Sequence, residues 1–548
     1  MISRKPFLSA RSQPRGFFLV LVLIVVTVAT MAVYSFTDLM LAFDDSAHLS
    51  GDLVQARVSA ESGASSIRLL LSEPPQSRVD FGGVFNNPDL FQAITVSPGI
   101  GGTTPSNFSV IAPSLDEMGM YGGIRFGLQN ESARLNINTL TILEENSGAL
   151  TAALALSNDP DADTAADSID TENIAVSLLL GLPGMTEDVA DAILDFIDED
   201  EEARPFGAES DYYATLATPY SAANGPLRSV EELLLVRGVT PNLLFGADIN
   251  RNGVIDPDEQ QRFGITIDTP GSLGWAAYLT VHGAEANKRR DGAARVDVNQ
   301  EDLELLYEEL LDTLGDESYA SFIVAFRVAG QSGSAQTDEP NDSSVPWSTE
   351  ALDGLDLTGG GGTQLTQILD LIGASVTIEI NGDQVLYRSP FEDNPIAMSM
   401  YMPLIMDSLS TQDFDNIPGR ININECPAEL LYGIPLLTEE TVDAIIESRE
   451  AESDDSNRQF ETWPLVEGLL TTAEMRQLLP LVTGGGDVYR AQIIGYFENS
   501  GASHRAEIIM DATTVNPKLV SWRDLSHLGR GFDLSVLGIR SVAAPQTQ

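Results

Sequence analysis

Residues 11–36 read RSQPRG followed by FFLVLVLIVVTVATMAVYSF, the second string running from Phe17 to Phe36. The leader holds Arg4, Lys5, Arg11 and Arg15 and no acid, and the apolar run carries no charge. Twenty residues rise about 30 Å as a helix, the thickness of a bilayer's hydrocarbon core. An ordinary secretory signal has a shorter apolar core and small residues after it. Here the small residue at the boundary, Gly16, stands before the run. The basic leader favours the cytoplasmic side, so the rest of the chain is expected outside the cytoplasm. On its own, this segment would equally suit a plain single-span anchor.

The helical pattern continues past the span. Leu53, Ala56, Ala60, Gly63, Ile67 and Leu70 recur at steps of three or four, forming one stripe of small and aliphatic residues that permits close packing. Ser72-Glu73-Pro74-Pro75 stops the pattern, which predicts one helix from Phe17 to Leu71. Pro74 to about Met118 is rich in Gly, Pro, Ser and Asn and reads as loop with a short strand or two.

Composition narrows the partners. The chain of 548 residues carries 30 basic and 81 acidic side chains, a net charge of −51. Such a surface repels nucleic acid and anionic lipid and attracts cations. Cys426 is the single cysteine, so no internal disulfide is possible. The length allows two or three domains, and the envelope of a Gram-negative bacterium suits the whole.

A pentamer recurs three times: Arg134-Leu135-Asn136-Ile137-Asn138, Arg295-Val296-Asp297-Val298-Asn299 and Arg420-Ile421-Asn422-Ile423-Asn424. Each alternates apolar residues and ends on a polar cap before a helical pattern, which predicts related helical units entered through short strands. Two helix-hairpin-helix patterns sit inside them, at Leu180-Gly181-Leu182-Pro183-Gly184-Met185 and at Tyr432-Gly433-Ile434-Pro435-Leu436-Leu437. Such hairpins hold DNA phosphates through backbone amides and nearby cations. Here the second helices carry Glu187, Asp188, Asp191 and Asp195, then Glu439, Glu440, Asp443 and Glu447, which oppose phosphate. Protein packing is the expected use.

The strongest chemical motif spans Asp248 to Glu259, DINRNGVIDPDE. Asp248, Asn250 and Asn252 occupy ligand positions one, three and five of an EF-hand loop. Gly253 takes the sharp turn, Val254 offers its carbonyl, Asp256 is ninth and Glu259 is the bidentate twelfth. This spacing wraps hard oxygens around one Ca2+ ion. Pro241 to Ala247 is short for an incoming helix, which favours a structural staple over a switch. A second acidic segment runs from Asp195 to Tyr213 after the first hairpin; it contains Asp198-Glu199-Asp200-Glu201-Glu202 and then Gly207-Ala208-Glu209-Ser210-Asp211-Tyr212-Tyr213. It reads as a solvated loop or a metal site.

Strands are expected toward the C-terminus. Val488 to Phe497 turns at Asn499-Ser500-Gly501 and pairs with His504 to Thr513; Val515 to Trp522 adds a third strand, with Pro517 marking an edge. Asn381-Gly382 within Ser375 to Leu386 signals a tight hairpin. Residues 330–363 are rich in Gly, Ser, Asp and Thr and read as a flexible linker. His48, His282, His504 and His527 are scattered, and neither they nor Cys426 sit in a catalytic motif, so no enzyme is expected.

Taken in order, these pieces resemble the type II secretion system protein K family, the large minor pseudopilins. The resemblance rests on Arg15-Gly16-Phe17-Phe18, the stripe at Ala56, Ala60 and Gly63, the pentamer at Arg134, the hairpin at Gly181, Phe196-Ile197-Asp198-Glu199-Asp200 and Gly207-Ala208-Glu209 with Tyr212-Tyr213. Ala223-Asn224-Gly225-Pro226-Leu227, Ser229 to Leu233 and Val236-Arg237-Gly238-Val239 complete it. The resemblance implies cleavage by prepilin peptidase after Gly16 and methylation of Phe17. It places Leu21 at the fifth mature position, where most pilin-like proteins carry Glu. A subunit lacking that carboxylate fits the filament tip. The resemblance further implies calcium in the acidic segment, with Asp198, Asp200, Glu209 and Asp211 as the matching positions. Other minor pseudopilins and the inner-membrane assembly platform are the implied partners, with secreted substrate or the outer-membrane secretin beyond them and no nucleic acid. The implied location is the inner membrane, single-pass, with the head in the periplasm.

The expected fold class is α+β: a long N-terminal transmembrane helix and a pilin-like antiparallel sheet with inserted α-helical (helix-hairpin-helix, SAM-like) domains. The expected divisions are a leader (1–16), the two halves of the helix (17–36 and 37–73), loop and first strands (74–130) and a helical insert with the calcium loop (131–290). A second helical unit (291–329), the linker (330–363), a β-hairpin region (364–400), a third helical unit (401–486), C-terminal strands (487–525) and a tail (526–548) follow. The EF-hand-type loop, the third pentamer unit and the linker are additions to the family's usual pattern. Two other readings remain at this level: a type IV pilus or DNA-uptake component, and a stand-alone calcium-binding envelope protein.

Overall fold

The computed structural model describes residues 17–99, 104–145, 174–265, 271–332, 344–380, 383–449, 455–498 and 501–538. Gly16, Asn381-Gly382 and Asn499-Ser500 lie outside them, so the leader junction and both turn dipeptides are not described.

One continuous helix, α1, runs Phe17–Leu71 over 55 residues. Its apolar window is not buried against any other part of the chain, and among the described residues it is the one helix long and apolar enough to cross a membrane. The distal half behaves differently. Ala56, Ala60, Ala64, Ile67, Leu70 and Leu71 are buried against a sheet, while Leu53, at the near end of the stripe, stays exposed.

That sheet has seven antiparallel strands. They are β1 (Ile94–Ser97), β2 (Ser106–Leu115), β3 (Tyr121–Arg125), β4 (Gln129–Asn130), β5 (Val488–Phe497), β6 (Ser503–Asp511) and β7 (Lys518–Asp524). The order is β1-β2-β5-β6-β7, with β3 on β2 and β4 on β5. The sheet thus joins chain ends nearly 400 residues apart, for example through Ile493 opposite Val110. β7 begins just after Pro517 and forms the edge, as its sequence predicts. The segment read as mostly loop, Pro74 to Met118, instead supplies the ten-residue β2, whose first seven residues are all buried. β2 lies between β1 and β5 with α1 over it, and so lacks the apolar–polar alternation of a half-solvated strand.

Helix and sheet touch at glycines on both sides. A Cβ on Gly495 of β5 would lie 1.9 Å from the Ala56 carbonyl oxygen, and one on Gly63 would lie 2.8 Å from Ile493 Cγ2. The small-residue stripe is therefore the floor of a close helix-on-sheet contact. On the other side of the sheet, Phe532 and Leu537 pack with Ile111, Ile494 and Tyr496. The described part of the expected tail thus belongs to the fold.

Between β4 and β5 the chain builds three units on one plan. Each pentamer contributes a two-residue strand that pairs in parallel with a returning dipeptide: Leu135–Asn136 with Leu279–Thr280, Val296–Asp297 with Leu409–Ser410, and Ile421–Asn422 with Val482–Thr483. The last Asn of each pentamer clamps its unit shut. Asn138 donates to the Leu227 and Val281 carbonyls, Asn299 to Leu365 and Thr411, and Asn424 to Arg458 and Gly484. The pentamer Arg reaches a carbonyl just before each returning strand, at Ala276, Asp407 and Leu479. These repeated bonds satisfy buried backbone groups that short strands leave open.

Residues 344–363, part of the expected flexible linker, are packed. Trp347 Nε1 donates to Ser321 Oγ at 2.9 Å, Arg327 Nε donates to the Thr363 carbonyl at 2.6 Å, and Ala351 is buried. One tryptophan and a buried arginine anchor a stretch whose composition otherwise reads as polar spacer.

Candidate functional site

The first hairpin joins α2 (Ile174–Leu180) to α3 (Glu187–Ile197), and the second joins α4 (Ala428–Tyr432) to α5 (Glu439–Ser448). The two hairpins pack on each other. A Cβ on Gly181 would lie 2.5 Å from Gly433 Cα, so both turns need glycine for backbone to meet backbone. Trp275 Nε1 donates to the Pro183 carbonyl at 2.9 Å. The hairpin turns are engaged inside the molecule, and their second helices present carboxylates.

The loop from Asp248 to Glu259 lies between Pro241–Phe245 and Pro257–Phe263, two helical pieces of one and two turns. Its ligand-position side chains converge. Asp248 accepts from the amides of Asn252 at 3.0 Å and Gly253 at 2.8 Å. Asn250 and Asn252 donate to Asp256 at 2.7 and 3.1 Å. Glu259 accepts from the amides of Ile249 at 2.8 Å and Asp256 at 3.0 Å. Gly253 has a φ of 79°, the left-handed turn the motif needs, and Ile255 is buried. Asp248 and Glu259 are also buried; burial, reinforced by Glu259, raises the Asp248 carboxyl to about 6. Two buried carboxylates facing each other are a costly arrangement that a divalent cation relieves.

The loop also bridges the insert to the sheet. Arg505 of β6 is fully buried and donates to the carbonyls of Asn250 at 2.8 Å and Arg251 at 2.5 Å. Gln492 of β5 donates to the same Arg251 carbonyl at 2.6 Å, and Asn252 donates to the Gly531 carbonyl at 2.7 Å. None of these carbonyls is the seventh-position ligand, Val254, so docking and ion binding do not compete.

The second acidic segment closes on itself. Asp195, Asp198 and Glu209 bring carboxylate oxygens within 4.8 Å of one another. Arg204 donates to Asp195 at 2.7 Å, Asp198 at 2.6 Å and Glu144 at 2.8 Å. Both Glu209 oxygens and Asp198 Oδ1 are buried without a hydrogen-bond partner. Burial, then the neighbouring Asp198 and Asp195, push the Glu209 carboxyl up to about 7. Of the four expected positions, the structure joins Asp198 and Glu209. It leaves Asp200 and Asp211 exposed, with Asp200 accepting from the Glu202 amide at 2.7 Å. The sequence opens the acidic segment at Asp195 but does not single it out as a ligand, although it stands three residues before Asp198 at the end of α3, on the same helical face. Orphaned, buried, hard oxygens suit Ca2+ at this place.

A membrane-length helix whose far half lies in a glycine-floored contact on an antiparallel sheet is a pilin-like arrangement. Residues 133–245 match the model of the family described as Type II secretion system (T2SS), protein K. The match covers about a fifth of the chain and marks a protein K domain within it. A crystal structure of the GspK-GspI-GspJ complex from the enterotoxigenic Escherichia coli Type 2 Secretion System is also similar. It has 12% identity, covers 88% of this chain and 98% of that chain, and gives a TM-score of 0.35. No curated protein matches the chain.

Proposed function

We propose that this chain is a minor pseudopilin that caps the tip of a periplasmic pseudopilus and helps start its assembly for protein export. The observation that carries the reading is the uninterrupted α1, apolar and uncovered in its first half and packed on the sheet in its second, joined to a protein K domain. The first half would be drawn from the inner membrane into the filament after cleavage at Gly16 and methylation of Phe17. With Leu21 at the fifth mature position, no carboxylate is offered to the N-terminal amine of a subunit above. The head lies in the periplasm, facing other minor pseudopilins, and meets secreted substrate or the secretin beyond them. Its part is structural rather than enzymatic.

Calcium is part of the same proposal. Asp248, Asn250, Asn252, Val254, Asp256 and Glu259 would hold one ion and so fix the loop that Arg505 and Gln492 grip. Asp195, Asp198 and Glu209 would hold a second, with Asp200 and Asp211 as nearby exposed carboxylates. DNA uptake is disfavoured, because the hairpin turns are spent on each other and Glu and Asp line their second helices.

The test is complementation. In cells lacking the chain, the wild type should restore export and a Gly16→Arg variant, blocked at the leader, should not. Equal rescue by both would overturn the reading.

A further inference from the structure

We propose that a cleft at the far end of α1 docks an acidic peptide segment of a partner protein. The cleft has a volume of about 570 Å³ and opens where Leu71 to Pro75, the 285–295 segment and the 483–487 turn meet. Its lining inverts the charge of the molecule. Seven Lys and Arg side chains face five Asp and Glu, in a chain that as a whole holds 81 acids against 30 bases. Lys288-Arg289-Arg290 is the one run of three consecutive basic residues in the sequence.

Most of the acids in the lining are already spent. Glu285 and Glu461 pair with Arg420 at 2.6 and 3.1 Å, Glu425 pairs with Arg125 at 3.3 Å, and Asp487 accepts from the Ala286 amide at 2.8 Å. Three of the bases are spent too, Arg420 on Glu285 and Glu461, Arg289 on Asp291 at 2.9 Å and Arg458 on Glu467 at 2.8 Å, which leaves Arg78, Lys288, Arg290 and Arg295 without an ion pair among the described residues. Arg78 is buried and donates only to the Leu71 and Glu73 carbonyls and the Tyr489 hydroxyl, with no carboxylate among its partners. Lys288 and Arg290 are half-buried, and neither side chain makes a hydrogen bond or an ion pair among the described residues. Asp407 lies near Arg290, and its Oδ1 accepts from the Arg290 backbone amide at 2.9 Å. A half-desolvated guanidinium with five unused donors is costly unless a carboxylate meets it. Burial accordingly pulls the Arg290 pKa down.

The position selects the kind of anion. From Phe36, the end of the apolar run, to Leu71 the helix rises about 52 Å at 1.5 Å per residue. A lipid headgroup cannot reach a cleft that far from the bilayer while the helix is anchored, so the ligand is soluble. Gly485 on the wall of the cleft has open space above it. An extended chain bearing carboxylates fits better than a lone ion. The inference does not depend on calcium or on the place of the chain in a filament.

The experiment is fluorescence anisotropy of a labelled Asp/Glu-rich peptide with the full chain in neutral detergent. The wild type should bind, more weakly as salt rises, and Lys288→Glu with Arg290→Glu should weaken binding by about tenfold or more. Lys518→Glu, an exposed charge on β7, should leave binding unchanged. Lys288→Gln with Arg290→Gln serves if the glutamate pair fails to fold. The proposal is overturned if the wild type does not bind the peptide, if the cleft variants bind it as tightly as the wild type, or if inorganic phosphate displaces it at concentrations too low to act by screening.

Discussion

Gly495→Ala puts the helix-on-sheet contact under the most direct strain. The added Cβ would lie 1.9 Å from the Ala56 carbonyl oxygen and 2.8 Å from the Ala60 nitrogen. Both are backbone atoms of α1, so no side-chain rotation relieves the clash. To restore a 3.0 Å separation the helix must retreat about 1 Å, and a gap of that size forfeits roughly a quarter to a half of each dispersion contact across it. The contacts at stake are those of Ala60, Ala64, Ile67 and Leu70 with Phe108, Val110, Ile493 and Ile508. Overpacking of this kind costs about 1–3 kcal/mol, and the backbone location places Gly495 at the upper end. Against about 2–4 °C per kcal/mol for a domain of 150–250 residues, the melting midpoint should fall by roughly 6–12 °C. The assay is thermal unfolding of the detergent-solubilised chain, with Gly485→Ala as control, since a Cβ there meets nothing within 4 Å. Ala56→Gly should fail to rescue, because the clash is with its carbonyl. A Gly495→Ala protein that melts with the wild type would refute the packing described for α1.

Glu259→Gln should abolish most of the calcium-dependent rise in melting temperature while leaving the calcium-free midpoint within a few degrees; differential scanning fluorimetry with and without EDTA reads both. Glu209 predicts a pH dependence with a definite sign. Its carboxyl is held at about 7 in the fold against an ordinary 4.5, so between those values the folded state keeps a proton the unfolded state has lost. In EDTA, stability should therefore fall as pH rises from about 4.5 to about 7 and level off above. Glu209→Gln should flatten that slope, and calcium should offset it at neutral pH by taking the proton's place. Denaturant titrations across the range check this, and an unchanged slope in the variant would remove Glu209 as its source.

Much of the fold is legible where one segment carries its own signal. The uncharged run and the small-residue stripe define α1 as one helix ending at Leu71, and Val488 to Phe497 is a strand in both readings. The EF-hand-type pattern is legible because its candidate ligand positions lie within twelve residues. What escapes is information held between distant segments. The returning dipeptides Leu279–Thr280, Leu409–Ser410 and Val482–Thr483 are too short to show a period, and only the Asn clamps reveal them as equivalents. β2 looks like loop because burial on both faces removes its alternation. Gly181 and Gly433 each read as a turn glycine, and nothing local says that the two touch. Asp195 hides in an amphipathic helix as an ordinary acid, although the cluster is built on it.

The central claim, that α1 is the assembly helix of a pseudopilin, is tested most directly by mass spectrometry of the N-terminus of the chain purified from membranes of a cell with its secretion system intact. The account predicts a mature chain beginning at N-methylated Phe17. An intact chain still carrying Met1 and the basic leader, with no product beginning at Phe17, would contradict it.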